Sequence, residues 1–220
     1  VQLENGDWWF IIMQDRGPIG RVPHLLPVRW VDGWPMLGVD GKDVITYRKP
    51  EVGKKQQRLT APATTDECDG KHLGLQWQWN HNPDNTKWSL TERRGYLRLK
   101  ASQAKNLYES RNTLTQRVQG PSSEGSVEID LSGLKDGNIA GLGVFQLPYA
   151  YVAITQEGND RKIVMYNKEE EIEAVTDFKG DKIWFRARVM DKNFTACFYY
   201  SLDGINYLPI GRELKMGLGL

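Results

Sequence analysis

The 220-residue sequence is nearly neutral, with 29 lysine and arginine residues against 28 acidic residues, and it is long enough to bury a sizeable core. It contains no basic stripe and no interleaved run of arginines and aromatics, so nucleic acid is not expected as a partner. It also lacks the roughly 18 consecutive apolar residues of a membrane-spanning helix, so no membrane partner is expected.

Aromatic residues and cysteines narrow the class further. Eight tryptophans and nine tyrosines are typical of β structure and of carbohydrate-binding surfaces. The two cysteines, Cys68 and Cys197, are far apart and lack the spacing of a metal site. A single disulfide and two free thiols both fit this pattern. The cysteines therefore do not distinguish a secreted, a periplasmic and a cytoplasmic protein.

Residues 1–45 predict a small sheet. An apolar strand at Trp8–Met13 runs into a turn marked by Gly17-Pro18, and a second strand follows at Val22–Trp30. Asp32-Gly33 is a hairpin signal before a third, short strand. Three strands joined by tight turns are typical of one β-propeller blade or part of one, which cannot bury both of its faces alone.

Residues 46–68 carry lysine, glutamine, proline and threonine with little periodicity, which predicts a linker before a second domain at 69–220. Both ends of the sequence look cut. Residue 1 is valine with no signal peptide after it, and the final KMGLGL has neither a cap nor a polar tail. We therefore expect part of a longer protein, with the second domain truncated at its C-terminal strand.

The stretch Leu73–Leu99 opens with strict alternation, which predicts a strand with two different faces. One face would carry Leu73, Leu75, Trp77 and Trp79, and the other Gly74, Gln76, Gln78 and Asn80. Amides suit sugar hydroxyls, and aromatic rings suit the apolar faces of sugar rings. The alternative is an ordinary first strand of a sandwich with a polar outer face.

Further strands follow at regular spacing, with turns between them and no helix of ten residues or more. They are predicted at Tyr96–Ala101, Ser126–Leu131, Ile139–Phe145, Tyr151–Ile154, Lys162–Tyr166, Glu171–Val175, Lys182–Met190, 194–200 and 205–210. This spacing predicts an antiparallel β-sandwich. The acidic run Glu169–Glu171 is interpreted as a solvated turn or strand edge, not as a metal site.

Several of these motifs resemble one known family. The segment QDRGPIGRVPHLLPVRWVDGWPMLG (14–38) is similar to the last blade of the five-bladed propeller of glycoside hydrolase family 43. Leu73–Leu99, SRNTLTQR (110–117) and YSLDGINYLPIG (200–211) resemble that family's C-terminal concanavalin A-like sandwich. The resemblance covers essentially the whole chain. It implies an all-β fold, an antiparallel concanavalin A-like jelly roll preceded by the last propeller blade.

The resemblance implies hydrolysis of xylosides or arabinofuranosides of plant hemicellulose, with inversion at the anomeric carbon. In the family, three carboxylates from earlier blades carry the chemistry, and the sandwich supports the propeller and helps close its sugar pocket. None of the motifs that carry these acids is visible here, and turn roles explain Asp7, Asp15 and Asp32. No catalytic residue is therefore assigned, and the segment alone is not expected to be an active enzyme.

Arg21, in GRVPHLLPV, matches an arginine that reaches into the sugar pocket in the family. Its fixed charge and forked donors would bond sugar hydroxyls and lower the pKa of a neighbouring carboxylate. The alternative is a structural arginine that braces the turn at Gly20.

A loop of the sandwich places an aromatic side chain at the pocket rim in many relatives. The best match here is VFQLPYAY, with Phe145, Gln146 and Tyr149 at or beside a bend stiffened by proline. A ring there would exclude water and favour attack at chain ends. Trp79, with Asn80 and His81, is a second choice for the same rim. The alternative is a hairpin whose aromatics pack inside the sandwich.

The expected partners are a hemicellulose-derived oligosaccharide of xylose or arabinose and the rest of the chain's own propeller. No cofactor is required, and His24, His72 and His81 lack metal-ligand spacing. Some relatives hold a cation, so a structural calcium ion stays open. Two other functions compete, a stand-alone carbohydrate-binding module and a purely structural accessory domain. The blade-like start favours the hydrolase, because a self-sufficient module would not need it.

Overall fold

A computed structural model of the chain describes residues 1–17, 20–53, 58, 60–168, 171–190 and 192–217. It divides into two compact units, Val1–Ala61 and Pro62–Leu220, and this division falls within the predicted linker at 46–68. The described residues form β strands and loops without an α-helix, as predicted. Accordingly, that part of the chain offers no helix of the length and apolarity needed to cross a membrane.

The first unit is an antiparallel sheet of three strands, in the order β1-β2-β3. Its strands are β1 (Trp8–Asp15), β2 (Arg21–Val31) and β3 (Trp34–Leu37). Asp32 and Gly33 connect β2 to β3 with φ angles of 49° and 79°, the positive values that a two-residue hairpin turn of this kind needs. The predicted three-stranded sheet and its hairpin are therefore confirmed.

This sheet buries few of its own large side chains. Trp9 and Leu26 are buried, and Tyr47 packs edge-on against Trp9 with ring centroids 5.8 Å apart. Other large apolar residues stay exposed on the sheet and its flanks, namely Phe10, Ile11, Ile12, Met13, Leu25, Trp30, Val31, Trp34 and Met36. A sheet with so much exposed apolar surface is expected to pack against other parts of a protein.

The second unit is a β-sandwich with two small strand pairs before it. The pairs join β4 (Gln78–Trp79) with β7 (Leu114–Thr115) and β5 (Trp88–Ser89) with β6 (Arg98–Leu99). The longer strands are β8 (Ser122–Asp130), β9 (Ile139–Val144), β10 (Ala150–Glu157), β11 (Asp160–Asn167), β12 (Glu171–Phe178), β13 (Lys182–Met190), β14 (Thr195–Ser201) and β15 (Leu208–Lys215). They form two antiparallel sheets of four strands, ordered β12-β11-β10-β9 and β15-β14-β13-β8.

One apolar core joins the two sheets. On β13 the alternate residues Ile183, Phe185, Ala187 and Val189 are buried, as the sequence predicts, and they pack with Val152, Ile154, Ile163 and Met165 of the other sheet. Alternation in β8 is weaker, because Val127 opposite Phe185 keeps more than a third of its surface exposed. The antiparallel sandwich prediction is confirmed.

The predicted strand from Leu73 to Asn80 is wrong. Only Gln78–Trp79 is extended, Leu75 is fully exposed in a turn, and the Trp77 N–H donates to the Gly74 carbonyl at 3.1 Å. The cause is Asp66, whose carboxylate accepts the indole N–H of Trp77 at 2.7 Å. This bond holds Trp77 against the preceding loop, so the proposed row of amides opposite a row of apolar groups does not form.

Several other predicted strand bounds are wrong. β8, β10 and β12 extend three or four residues beyond the predicted bounds, to Ser122, Glu157 and Phe178. The strand expected at Tyr96–Ala101 contracts to Arg98–Leu99. The last strand begins at Leu208 rather than at 205, because the Asp203 carboxylate binds the N–H groups of Ile205 and Asn206 and keeps them in a turn. Both cysteines are free, so the disulfide alternative is wrong.

Some predictions fall outside the described residues. They concern Glu169 and Glu170 of the acidic run, Asp191 of the predicted turn at 191–193, and the last three residues of the C-terminal KMGLGL.

Acid is expected to destabilise the sandwich through Asp203. Hydrogen bonds from the backbone N–H groups of Asn206 and Ile205, each 2.8 Å long, hold the pKa of this carboxyl well below its usual range. Such a group stabilises the folded state above its unfolded pKa of about 4, and the contribution is lost as the pH falls through the lower folded pKa. We expect the urea midpoint of the chain to fall as the pH drops below about 4.

The matched variant for this prediction is Asp203→Asn. It lacks the charge, so its urea midpoint should be lower than that of the unchanged chain at pH 7 and should vary less with pH below about 4. The same pH dependence in both proteins would contradict a stabilising role for the Asp203 carboxylate.

Candidate functional site

Phe145 and Tyr108 form an exposed aromatic platform in the second unit. Phe145 directly follows β9 and is half-buried, and its ring stacks on that of Tyr108 with centroids 5.6 Å apart and planes 20° apart. Tyr108 is 45% exposed and lies in a turn closed by Asn106, whose side-chain oxygen accepts the Glu109 N–H at 3.0 Å. A stacked, partly exposed ring pair offers an apolar surface to a sugar ring.

Two side chains hold the backbone of this platform. Asn80 donates from Nδ2 to the Tyr108 carbonyl at 3.0 Å, and His81 Nε2 lies 3.0 Å from the same oxygen. Because a carbonyl oxygen only accepts, Nε2 carries the proton of this bond. Asn80 and His81 therefore fix the Tyr108 loop, and they connect it to the candidate residue that directly precedes them in the chain.

That residue is Trp79, which ends β4. Its half-buried ring packs against Trp88 of β5, with centroids 5.3 Å apart. The structure thus brings the segment 79–81 and Phe145 together at Tyr108, a residue that the sequence reasoning missed. In the sequence, Tyr108 is marked only as a single tyrosine among turn-forming residues just before SRNTLTQR.

Tyr149 lies below the surface. It is 2% exposed, and its ring stacks with those of Tyr151 and Tyr166 at centroid distances of 6.5 and 6.0 Å. Burial raises the pKa of Tyr149, and burial with the neighbouring Tyr166 and Tyr149 raises the pKa of Tyr151 to about 12. These phenols stay neutral near pH 7, and in this conformation Tyr149 supports the bend from beneath rather than meeting a ligand.

The bend itself is packed from the C-terminal side. Gln146 is half-buried, Leu147 is exposed and the Leu147–Pro148 peptide bond is cis. A Cβ atom at Gly217 would lie 2.3 Å from the Leu147 carbonyl oxygen. Only glycine allows the segment after β15 to approach the bend this closely.

Arg21 lies in the first unit, at the start of β2. It is exposed and stands opposite Asp15 in the strand register, while the Asp15 carboxylate accepts the Gly17 N–H at 2.8 Å. Within the described ranges the Arg21 guanidinium forms no ion pair or side-chain hydrogen bond, so its donors are available to a ligand.

The three aspartates of the first unit have structural roles. Asp7 binds Asn5 at 3.0 Å and Arg48 at 3.3 Å, Asp15 closes the turn at Gly17, and Asp32 lies in the β2–β3 turn. Turn roles were predicted for all three, and none of these geometries indicates a catalytic acid.

The carboxylates of β8 also lack the properties of a catalytic pair. Hydrogen bonds from Ser132 and Arg93 hold the pKa of Asp130 well below its usual range, and a hydrogen bond from Lys182 at 2.8 Å lowers the pKa of Glu128. A general acid needs a raised pKa. Nor does the described part of the chain contain a group of three or more histidine, cysteine, aspartate or glutamate residues that could hold a metal ion.

Comparisons with known proteins agree on one family. A family model described as "Beta xylosidase C-terminal Concanavalin A-like domain" (GH43_C2) matches residues 65–218. A beta-xylosidase of Formosa agariphila is 34% identical over 255 residues, which cover 100% of this chain and 42% of that protein. This chain spans only 41% and 42% of the first two curated relatives that it matches.

Two solved structures share the fold. A bifunctional GH43-CE protein of Bacteroides eggerthii matches with a TM-score of 0.86 and 39% identity, over 99% of this chain and 29% of that one. A GH43 glycoside hydrolase engineered to display both endo-xylanase and exo-arabinofuranosidase activity matches with a TM-score of 0.86 and 30% identity, over 100% of this chain and 47% of that one.

Proposed function

Because the chain belongs to the family of beta-xylosidase C-terminal concanavalin A-like domains of GH43 proteins, we propose that it is the C-terminal part of a glycoside hydrolase. Its substrates would be xylosides or arabinofuranosides of plant hemicellulose. The observation that carries this proposal is the family match over residues 65–218, in a chain whose full length aligns with a beta-xylosidase.

In this proposal the reactive carboxylates belong to the longer protein. Inversion requires an acid and a base roughly 6.5–9.5 Å apart, so that a water molecule fits between the base and the anomeric carbon. In the described part of this chain, the carboxylates of the first unit and of β8 take part in turns and ion pairs, namely Asp7, Asp15, Asp32, Glu128 and Asp130. This supports placing the acid and base in the remainder of that protein. This chain would contribute binding rather than proton transfer.

Arg21 and the aromatic platform would make separate contributions to binding. The free guanidinium of Arg21 can donate two parallel hydrogen bonds to neighbouring hydroxyls or to a carboxylate. The Tyr108–Phe145 pair can cover the apolar face of a pentose ring and exclude water from it. The role of Trp79 would be to hold this pair through Asn80 and His81, and the role of Gln146 as a polar contact at the bend stays a prediction.

The rest of a propeller is the proposed partner of the first unit. Its three-stranded sheet exposes large apolar side chains such as Ile11, Met13 and Trp34. Burying such groups stabilises a protein by about 25 cal/mol per Å² of apolar surface. This exposed surface supports a fold in which neighbouring blades cover the sheet.

The test is hydrolysis of aryl-xylosides and aryl-arabinofuranosides by two proteins, the 220-residue chain and the longer protein that contains it. We expect turnover by the longer protein and no detectable turnover by the chain alone. Clear turnover by the chain alone would mean that it holds its own catalytic acids. The absence of turnover by the longer protein on both substrates would contradict the proposed hydrolase.

The alternative function, a stand-alone carbohydrate-binding module, has less support than the sequence indicated, because the predicted face of amides is not formed. Calorimetry of the 220-residue chain with xylan and arabinoxylan addresses what is left of this alternative. We expect weak or undetectable binding, since a single exposed ring pair provides little surface. Tight binding that Tyr108→Ala abolishes would favour the binding module instead.

A further inference from the structure

A polar cleft lies at one end of the β-sandwich, where β8 begins and β13 ends. Its volume is about 620 Å³, which is within the range of small-molecule sites. In the strand register Ser122 stands opposite Met190 and Glu124 opposite Arg188. Because directly opposite residues share a face and the adjacent Val189 is buried in the core, these four residues lie on the outer face of the sheet. All four line the cleft.

Cationic side chains outnumber carboxylates in and beside this cleft. The Glu124 carboxylate lies between two guanidinium groups, 2.8 Å from Arg188 Nη2 and 3.2 Å from Arg186 Nε. Lys192 also lines the cleft and is exposed, and within the described ranges its ammonium group forms no ion pair or hydrogen bond. Three cations therefore surround one carboxylate among the described residues, and the excess positive charge favours an anionic ligand.

Arg188 keeps donors for such a ligand. It holds Glu124 through Nε and Nη2, at 2.9 and 2.8 Å, whereas a guanidinium group has five N–H donors in all. The remaining N–H groups have no hydrogen-bond partner in the part of the chain that the structure describes. The Arg188 side chain is 51% exposed, so a carboxylate can approach it and accept charge-assisted hydrogen bonds.

The other lining groups suit a ligand with several hydroxyls. Ser122 and Ser123 carry hydroxyls and Asn193 an amide, and each of these groups both donates and accepts. Met190 adds an apolar contact for the face of a ring. A phosphate, which only accepts, would be repelled by the Glu124 carboxylate, whereas a sugar hydroxyl can donate to it. The arrangement therefore favours an acidic sugar over a phosphate.

A buried hydroxyl next to the cleft lacks a partner. Thr195 of β14 stands directly opposite Met190, so its side chain lies on the same face of the sheet. It is 4% exposed, and its Oγ1 has no hydrogen-bond partner among the described residues. Because buried hydroxyls are normally hydrogen-bonded, Thr195 has a hydrogen bond to offer to a polar group or a water molecule at this place.

We propose that this cleft binds a sugar that carries a carboxylate, namely a uronic acid side group of hemicellulose. This inference rests on the proposed function, since the proposed substrate supplies the acidic sugar. Arg188 and Lys192 would bind the carboxylate, and Glu124 and Ser122 would bind the hydroxyls of the same ring. The chain would then favour hemicellulose with acidic side groups over the unsubstituted polymer.

Calorimetry of the 220-residue chain with two matched oligosaccharides tests this proposal. One is xylotetraose with a single glucuronic acid side group, and the other is the same molecule with the carboxyl reduced to an alcohol. We expect the acidic oligosaccharide to bind at least about tenfold more tightly, with a difference that shrinks as the salt concentration rises. Equal affinities, or no detectable binding of either molecule, would overturn the proposal. A glutamate tetrapeptide that binds as tightly as the acidic oligosaccharide would overturn the assignment to a sugar.

A pair of lysine variants locates the binding. Lys192→Ala removes an exposed cation of the cleft, so it should weaken binding of the acidic oligosaccharide at least about fivefold. The matched control is Lys135→Ala, which removes an exposed lysine outside the cleft and should keep the affinity within about twofold. Equal losses in the two variants would mean a general attraction to the charge of the protein and would overturn the site. None of these measurements uses hydrolysis, so a failure here is distinct from a failure of the proposed function.

Discussion

Replacing Arg21 with alanine in the longer protein is expected to lower kcat/KM for aryl-xylosides or aryl-arabinofuranosides by more than tenfold, or about 1.4 kcal/mol. The reason is the state of the guanidinium, which is exposed at the start of β2 and has no ion-pair partner among the described residues. A permanent charge with forked donors binds hydroxyls or a carboxylate in a fixed geometry. Arg21→Lys keeps the charge but not the fork, so its activity should fall between those of the wild type and Arg21→Ala.

The matched control is Arg29→Ala. Arg29 is exposed on the same strand, and its separation of eight residues from Arg21 places both on the same face of β2, about 26 Å apart along the strand. Its removal should leave kcat/KM within about twofold of the wild-type value, as for an exposed residue outside a site. If Arg21→Ala leaves kcat/KM unchanged and lowers the Tm instead, Arg21 braces the turn at Gly20 and does not bind substrate.

The sequence predicts well those parts of the fold whose conformation depends on the residues of a single strand or turn. Lys182–Met190 alternates between apolar and polar residues, and the observed β13 has the same bounds. Asp32-Gly33 supplies the two positive φ angles of its turn locally. In both cases neighbouring residues determine the backbone conformation, so no contact between distant parts of the chain is needed to predict it.

The predictions that failed depend on a side chain that binds backbone or indole groups elsewhere. Alternation from Leu73 to Asn80 is as strict as in β13, yet the Asp66 carboxylate captures the Trp77 indole and a turn replaces the strand. Asp203 delays the start of the last strand in the same way. Hydrophobic periodicity indicates which residues are buried, but it does not indicate a competing side-chain hydrogen bond of this kind.

The candidate site was predictable only in part. Resemblance supplied Phe145 and Trp79, and the structure connects them through Tyr108, whose stacking partner lies 37 positions along the chain. No local pattern reports a contact at such a distance. The burial of Tyr149 was predicted only as an alternative, a hairpin whose aromatics pack inside the sandwich, and sequence alone could not choose it because the burial depends on Tyr166 of the neighbouring strand.

Replacing Phe185 with alanine is expected to lower the free energy of unfolding of the sandwich by about 3–5 kcal/mol. Phe185 is 0% exposed on the central strand β13, between Val127 of β8 and Tyr200 of β14. Alanine leaves a cavity that two stiff, paired sheets cannot close. Urea unfolding followed by tryptophan fluorescence measures the loss, and Val127→Ala, at a partly exposed site on the same face, should cost less than about 1.5 kcal/mol.

The same variant tests whether the sandwich core sets the geometry of the aromatic platform. A loss of 3–5 kcal/mol is a large share of the 5–15 kcal/mol that stabilises a typical domain. β9, which ends one residue before Phe145, contacts β13 across the core, so a cavity at Phe185 should loosen the Tyr108–Phe145 stack as well. The near-ultraviolet circular dichroism of Phe185→Ala should then weaken below the unfolding transition, whereas an unchanged signal would contradict this coupling between the core and the platform.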